Sequence, residues 1–198
     1  MTTRDGLLSA AAEAFDRDGY VRATIDDVCD LAGVTKGALY GHFSSKKALA
    51  VAVLDRQAQE WTRTRERLQR VHRSPLQVLV DLGHAVNEDR AVAQRLLFQA
   101  PICDDDVVDR QVAQWTSTVQ ELLRAAEYRG ELRDGVDVEA CADAVVAALV
   151  GVQLMSLAVE DPEGVARQVA RLWRTWLPTL ARPEVCASLR VEPPRRRR

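Results

Sequence analysis

Apolar residues recur along most of the chain at spacings of three and four positions, the period of an amphipathic α-helix. The first such stretch contains Leu7, Ala11, Ala14 and Phe15 and is closed by Gly19. Alternation of apolar and polar residues, the pattern of a half-buried β-strand, is absent. The chain is therefore predicted to be all-α, with about nine helices.

Helix-capping residues divide the first third of this pattern into short elements. Thr24, with Asp27 three positions later, starts a second helix that ends at Gly33. Thr35 starts a short third helix, and a much longer fourth helix reaches about Val71. Three short helices with tight turns thus precede longer and more apolar ones.

Similar signals mark the later helices. Four further helix starts are predicted, at Ser74-Pro75, at the acidic run Asp104–Asp106, at Asp137 and at Asp161-Pro162. Pro101 is predicted to end the sixth helix. The organisation predicted is an N-terminal three-helix head over 1–48, a helical bundle over 49–185, and a tail over 186–198 that is disordered at its Arg-rich end.

Composition narrows the class of protein. Of the 198 residues, 47% are hydrophobic and 28% charged, with a net charge of −2, which suits a globular core. No transmembrane helix or signal peptide is expected, so the protein is predicted to be cytoplasmic. The four cysteines are far apart and form no CxxC pair, so no metal site or cofactor is expected.

The second and third helices, joined by a turn at Gly33, form a helix-turn-helix, in which the N-terminal end of the second helix of the motif enters the DNA major groove. Small and polar side chains at that end permit close approach to bases and phosphates. Leu39 and Phe43, four positions apart, are expected to face the core instead. The DNA-binding candidates are Thr24, Thr35, Lys36, Gly37, Ala38, Tyr40, His42 and Lys46.

The stretch AGVTKGALYGHFSSKKALAVAVL, preceded by FDRDGYVRATIDDV, resembles the DNA-binding signature of the TetR family of repressors. The likeness covers about residues 5–55. Members of that family usually carry a basic arm before the first helix, whereas this chain begins Met-Thr-Thr-Arg; either the arm is absent or the start lies further upstream. Residues 1–50 hold six basic and seven acidic side chains, so a DNA-binding face is basic by arrangement and not by sum.

A narrower likeness extends into the second half. The head together with Trp115, the segment GVQLMS and the ending WLPTLARPEVCASL resembles the γ-butyrolactone receptor branch of the same family. This resemblance implies a ligand-responsive transcriptional repressor with no catalytic residues. It also implies a small apolar partner, a γ-butyrolactone or butenolide, bound beside Trp115.

Without the resemblance, the residues themselves allow more than one role for each candidate ligand-site residue. Trp115 is equally well a plain core tryptophan, and Gln153 bonds a ligand, bonds a neighbouring helix or faces a dimer seam. Ser156 shares the face of Gln153, and Trp61 on the fourth helix is placed to close the pocket floor. Further apolar or amide candidates for the lining are Leu96, Phe98, Gln99, Val119, Leu149, Val152 and Met155.

Small residues in the eighth helix, among them Ala144, Ala147 and Gly151, predict close packing between the eighth and ninth helices of two subunits. A homodimer fits a pseudo-palindromic, double-stranded operator. In the mechanism expected, ligand shifts the sixth helix, tilts the fourth and moves the two heads out of register.

Two other functions remain open. A TetR-type repressor for another apolar ligand, such as a drug or fatty acyl derivative, or a ligand-blind pseudo-receptor shares the same DNA-binding features. An all-α enzyme or carrier is disfavoured because GxSxG, P-loop, HExxH and GxGxxG motifs are absent and the three histidines have no identifiable catalytic partner.

Overall fold

The computed structural model describes residues 3–88, 96, 105–159 and 162–193. These residues form nine helices and no strand, which confirms the all-α prediction. The helices are α1 (Thr3–Arg22), α2 (Ile25–Ala32), α3 (Lys36–Tyr40), α4 (Lys46–Val71), α5 (Pro75–Glu88), α6 (Asp105–Tyr128), α7 (Val138–Val159), α8 (Pro162–Leu180) and α9 (Pro183–Ser188). The predicted sixth helix, which ends at Pro101, lies outside the described residues. The predicted seventh, eighth and ninth helices therefore correspond to α6, α7 and α8.

Two compact units divide the chain. The first comprises residues 1–60 and 90–110, and the second comprises 61–89 and 111–198. Two of the three boundaries fall inside a helix: the one after residue 60 in α4 and the one after residue 110 in α6. The domain boundaries at 48 and 185 stay a prediction.

The first unit is built on the packing of α1 against α2 and of α2 against α3. Leu7 and Phe15 of α1 are buried, as are Leu39 and Phe43, the two residues expected to face the core. Gly19 has a φ of 74° and interrupts the helical backbone of α1, which then continues to Arg22. The break that the sequence predicts at Gly19 is therefore present, although the helix does not end there.

The second unit is built on α8, which packs against α5, α7 and α9. Asp137 Oδ1 accepts from the backbone N–H of Ala140 at 3.0 Å and so caps α7, as predicted. At the start of α5, the carboxylate of Glu131 accepts hydrogen bonds from Ser74 Oγ at 2.9 Å and from the N–H of Leu76 at 3.2 Å. A buried negative charge thus meets the positive end of the α5 dipole.

Within the described part of the chain, one helix is long and apolar enough to cross a membrane by length and composition alone: the stretch Val138–Met155 of α7. A core helix of a soluble protein passes the same test. A third of this stretch is buried inside the structure.

Two prolines lie near the junction of α8 and α9. Pro178 lies inside α8, two positions before its end at Leu180, so that it costs the helix only a hydrogen bond in its last turn. Pro183 is the first residue of α9, a short helix that the sequence reading missed. Proline at the first helical position is favourable because the N–H that it lacks has no partner there.

Gly83 of α5 is expected to resist substitution by alanine. In an open helix position this change stabilises by about 1 kcal/mol. Here an added Cβ would lie 3.0 Å from Nε1 and 3.2 Å from Cζ2 of Trp173, whose side chain is fully buried. Overpacking of about 1–3 kcal/mol outweighs the helical gain, so we expect Gly83→Ala to lower the thermal midpoint.

The matched change for this test is Gly6→Ala in α1, where an added Cβ meets nothing within 4 Å. We expect it to leave the midpoint unchanged or to raise it. A Gly83→Ala protein as stable as the Gly6→Ala protein would mean that Trp173 yields without cost.

Candidate DNA-binding and ligand sites

A reciprocal pair of hydrogen bonds sets the start of α2. The backbone N–H of Asp27 donates to Thr24 Oγ1 at 3.1 Å, and the N–H of Thr24 donates to Asp27 Oδ2 at 2.7 Å. The hydrogen bonds from Thr24 lower the pKa of Asp27. This capping box is the one predicted from the spacing of the two residues, and it gives Thr24 a structural task in addition to its predicted contact with DNA.

The turn between α2 and α3 depends on Gly33, whose φ of 66° is in the left-handed region. Its N–H and that of Val34 bond back to carbonyls in the last turn of α2. Thr35 then caps α3, its Oγ1 accepting from the N–H of Ala38 at 3.3 Å. The result is the predicted helix-turn-helix geometry, with α3 as its second helix.

The predicted DNA-binding side chains on and around α3 are accessible. Residues Thr35, Lys36, Gly37, Ala38, Tyr40 and His42 are all exposed. Tyr40 is 51% exposed. A short helix thus offers two glycine or alanine positions for close approach together with hydroxyl, ammonium and imidazole groups.

The two predicted lysine contacts differ in their surroundings. Lys36 Nζ lies 2.8 Å from Asp26 Oδ1 on α2, with both side chains more than half exposed. That hydrogen bond raises the pKa of Lys36. Lys46, by contrast, turns towards the unit: its Nζ lies 4.4 Å from the ring centroid of Tyr20 and donates to the carbonyl of Val21 at 3.3 Å.

Partial burial lowers the pKa of Lys46. Its ammonium is already held by an aromatic ring and a backbone carbonyl. A phosphate contact by Lys46 stays a prediction, and it requires the side chain to exchange these partners for DNA.

In the second unit, α4, α6 and α7 enclose a mostly apolar cavity of about 20 Å³. Trp61, Trp115 and Gln153 are at most 9% exposed there. Gln153 contributes an amide to the cavity wall, and the other described residues of that wall are aromatic or aliphatic. The lining consists of Trp61, Trp115, Val119, Val146, Leu149, Val150 and Gln153.

Five of these seven residues are predicted pocket residues, and Val146 and Val150 are additions. The signal for both was available, because Val146, Val150 and Gln153 are spaced by three and four positions on α7 and so share a face. Trp115 and Val119 likewise stand four positions apart on α6.

The other predicted pocket residues are placed elsewhere. Met155 is 61% exposed, and Val152 is half-buried without lining the cavity. Leu96 is buried but belongs to the first unit. Phe98 and Gln99 lie outside the described residues, as does the side chain of Ser156. The role of all these residues in a ligand site stays a prediction.

A volume of about 20 Å³ holds roughly one water molecule, whereas sites for small organic ligands occupy about 300–1,000 Å³. Two larger hollows in this unit are polar. One of about 670 Å³ is open and has Arg133 and Arg182 in its wall, and one of about 220 Å³ is lined by His72, Arg73 and Arg129. Their arginine-rich walls suit an apolar ligand poorly, so the small cavity remains the candidate, and a ligand has to widen it.

In the described ranges, no group of three or more His, Cys, Asp or Glu side chains is placed to hold a metal ion. The described cysteines, Cys29, Cys141 and Cys186, are free thiols. Burial raises the pKa of Cys29 and Cys141, which disfavours the thiolate form that binds metals.

Comparison with known proteins bears on both sites. Residues 7–53 match the model of bacterial regulatory proteins of the tetR family, and residues 104–179 match a tetracyclin repressor-like C-terminal domain. A solved structure of full-length TylP, a TetR regulator from Streptomyces fradiae, is 31% identical, with a TM-score of 0.76 over 96% of this chain and 92% of that one. The chain belongs to the TetR family.

Other TetR relatives carry a ligand in their names. The A-factor receptor protein of Streptomyces griseus is 35% identical over 94% of this chain and 66% of its own length, so about a third of that receptor lies outside the match. A crystal structure of a γ-butyrolactone receptor, an ArpA-like protein, is 25% identical, with a TM-score of 0.72 over 94% of this chain and 91% of that one.

Membership of the TetR family confirms the predicted class. TetR proteins are non-enzymatic, DNA-binding transcription regulators, so the prediction that the chain is not an enzyme holds. A regulator of this kind is cytoplasmic. In this family the helix-turn-helix of α2 and α3 is the DNA-binding element, and it lies within the matched residues 7–53.

Proposed function

We propose that the protein is a homodimeric repressor that binds a pseudo-palindromic operator and is released from it by a γ-butyrolactone-type signal. The observation that carries this proposal is the mostly apolar cavity bounded by Trp61, Trp115 and Gln153 in a chain that also exposes a helix-turn-helix. The names of the A-factor receptor and of the ArpA-like receptor support the choice of ligand class. Bound to its operator, the protein resides at the nucleoid.

The DNA half of the proposal rests on the exposed end of α3. A single α3 reads one half-site in the major groove, and two half-sites about 34–36 Å apart require two subunits. Support for a dimer comes from α7, on which Ala144, Ala147 and Met155 are exposed and Leu154 is 38% exposed. Small and apolar side chains on an exposed helix face suit packing against a second copy.

The ligand half rests on the chemistry of the cavity wall. Two indoles and the aliphatic residues match the alkyl chain and ring of a butyrolactone, and the Gln153 amide can donate to a ring carbonyl or accept from a hydroxyl. Because the cavity must widen, the ligand binds a conformation different from the closed one. Trp61 is part of α4, the helix that begins at Lys46, and in the proposed mechanism its displacement by the ligand is transmitted to that helix.

The small volume favours one second candidate, a pseudo-receptor that binds DNA and accepts no lactone. The two differ in whether the cavity opens. A ligand shifts DNA binding only if it prefers the DNA-free conformation, and a complete switch from 1:99 to 99:1 needs a preference of about 10⁴-fold.

A fluorescence titration of the purified full-length chain tests the ligand half. Trp61 and Trp115 are two of the four tryptophans and both line the cavity, so a 2-alkyl-3-hydroxymethyl butyrolactone is expected to change the emission in a saturable way. The matched compound is the hydroxy acid made by opening the same ring, whose carboxylate is disfavoured in an apolar cavity. Equal responses to the two compounds, or none to the lactone, would favour the pseudo-receptor.

A further inference from the structure

Several basic side chains of the first unit are held by partners within the unit. Arg17 pairs with Asp18 at 2.8 Å, and Lys46 donates to the carbonyl of Val21. Arg56 donates to the carbonyl of Leu8 at 3.1 Å and to Ser9 Oγ at 3.0 Å. These contacts give each of the three cations a partner inside a unit that already has more acidic than basic residues over its first 50 positions.

Lys36 is the first residue of α3, where the second helix of the motif meets DNA, and its partner Asp26 is the second residue of α2. In a helix-turn-helix the first helix crosses the sugar-phosphate backbone while the second enters the groove. The ion pair between them therefore stands on the surface that faces phosphates. Its two side chains are 59% and 63% exposed, so that water and ions reach both.

An ion pair this exposed changes an equilibrium by about fivefold or less. A phosphate can consequently take over Lys36, and the exchange leaves the Asp26 carboxylate beside a polyanion. The same cost applies to any duplex in which Lys36 meets a phosphate. On DNA of arbitrary sequence, phosphate contacts supply nearly all of the affinity, so the cost is measured there without a contribution from base contacts.

We propose that Asp26 limits the affinity of this repressor for DNA phosphates: it holds Lys36 in an ion pair with α2 and thereby weakens sequence-independent binding. This inference rests on the proposed DNA-binding function and deepens it. Asp26 acts through Lys36 as a positioning residue, and it also contributes repulsion of its own towards phosphates.

The test is binding of the full-length protein to a 24-base-pair duplex of arbitrary sequence over 50–200 mM salt. Wild type is expected to bind weakly and with a salt-dependent affinity. Asp26→Asn, which frees Lys36 in both subunits of the proposed dimer, is expected to bind about tenfold more tightly at the low end of this range. The plot of log affinity against log salt is expected to steepen by about 0.9 for each Lys36 that gains a phosphate.

Asp30→Asn is the matched control. Asp30 is exposed on the same helix, and its replacement changes the net charge by the same amount without touching the Lys36 pair. We expect it to change the affinity about twofold or less and to leave the slope unchanged. A second control makes Asp26→Asn in a Lys36→Gln background, where the slope is expected to stay at the Lys36→Gln value.

Three results separate the claims. Equal behaviour of Asp26→Asn and Asp30→Asn, or a steeper slope that persists without Lys36, overturns this inference alone. No salt-dependent binding of any duplex by wild type overturns the proposed function and this inference with it. Thermal melting of every variant shows that differences in binding do not come from unfolding.

Discussion

Trp115→Ala is expected to keep DNA binding and to lose release by a γ-butyrolactone. Trp115 is 9% exposed on α6 and forms a wall of the cavity together with Trp61 and Gln153. It belongs to the second unit, whereas the helix-turn-helix belongs to the first. Loss of a buried aromatic contact of this kind costs about 2 kcal/mol of binding, or about 30-fold in lactone affinity.

The measurement is the lactone concentration that halves a protein–DNA complex in a mobility-shift titration. Removing a buried indole also costs about 3–5 kcal/mol of stability, so Trp115→Phe is made beside it as a milder change. The control is Trp173→Phe: Trp173 is fully buried on α8 and does not line the cavity. Release at an unchanged lactone concentration by both Trp115 variants would refute the assignment of the cavity.

Arg190→Ala is expected to lower stability by about 2–3 kcal/mol, because it leaves a buried carboxylate short of a partner. Asp81 of α5 is 1% exposed, and its Oδ2 lies 3.1 Å from the Arg190 guanidinium and 2.8 Å from His72 Nε2. Gln77 donates to Asp81 Oδ1 at 2.9 Å.

The backbone of Arg190 adds to this cluster. Its N–H donates to Gln77 Oε1 at 2.9 Å, and its carbonyl accepts from Gln77 Nε2 at 3.0 Å. One residue later, the Val191 carbonyl lies 2.8 Å from His84 Nε2. Residues 190–191 are thus tied to the polar face of α5, and their release would expose it.

Thermal melting at fixed protein concentration measures the effect, at about 2–4 °C for each kcal/mol in a chain of this size. Arg174→Ala is the matched control. Arg174 of α8 pairs with Glu192, which lies two residues after Arg190, and both side chains of this pair are more than half exposed. We expect that control to stay within about 0.5 kcal/mol of wild type. Equal midpoints for the two variants would show that Asp81 does not depend on Arg190.

The parts of the fold that the sequence predicted well are local. Thr24 with Asp27, Gly33, and Asp137 act within four residues of themselves, so that their spacing alone determines the caps and the turn. The period of α7 likewise brings Leu149 and Gln153 to one face. The identity of the cavity, however, came from Trp115 through resemblance, because the residues alone fitted a plain core tryptophan equally well.

The parts that the sequence did not predict depend on partners distant in the chain or on competition between groups. Arg190 meets Gln77 across 113 residues, and no local pattern indicates such a contact. Lys46 looks like a phosphate ligand in sequence, but in the structure an aromatic ring and a carbonyl hold it. The closed state of the cavity depends on how two tryptophans pack, which residue types do not determine.

The most direct test of the central claim is a mobility-shift titration of wild-type protein on genomic fragments that flank its own gene. It is performed with and without a panel of 2-alkyl-3-hydroxymethyl butyrolactones and butenolides, at several salt concentrations. The account predicts a shifted complex that at least one member of the panel dissolves in a dose-dependent way. A complex that every member leaves intact would contradict ligand-controlled repression by a lactone, and no complex at any salt concentration would contradict the DNA-binding function itself.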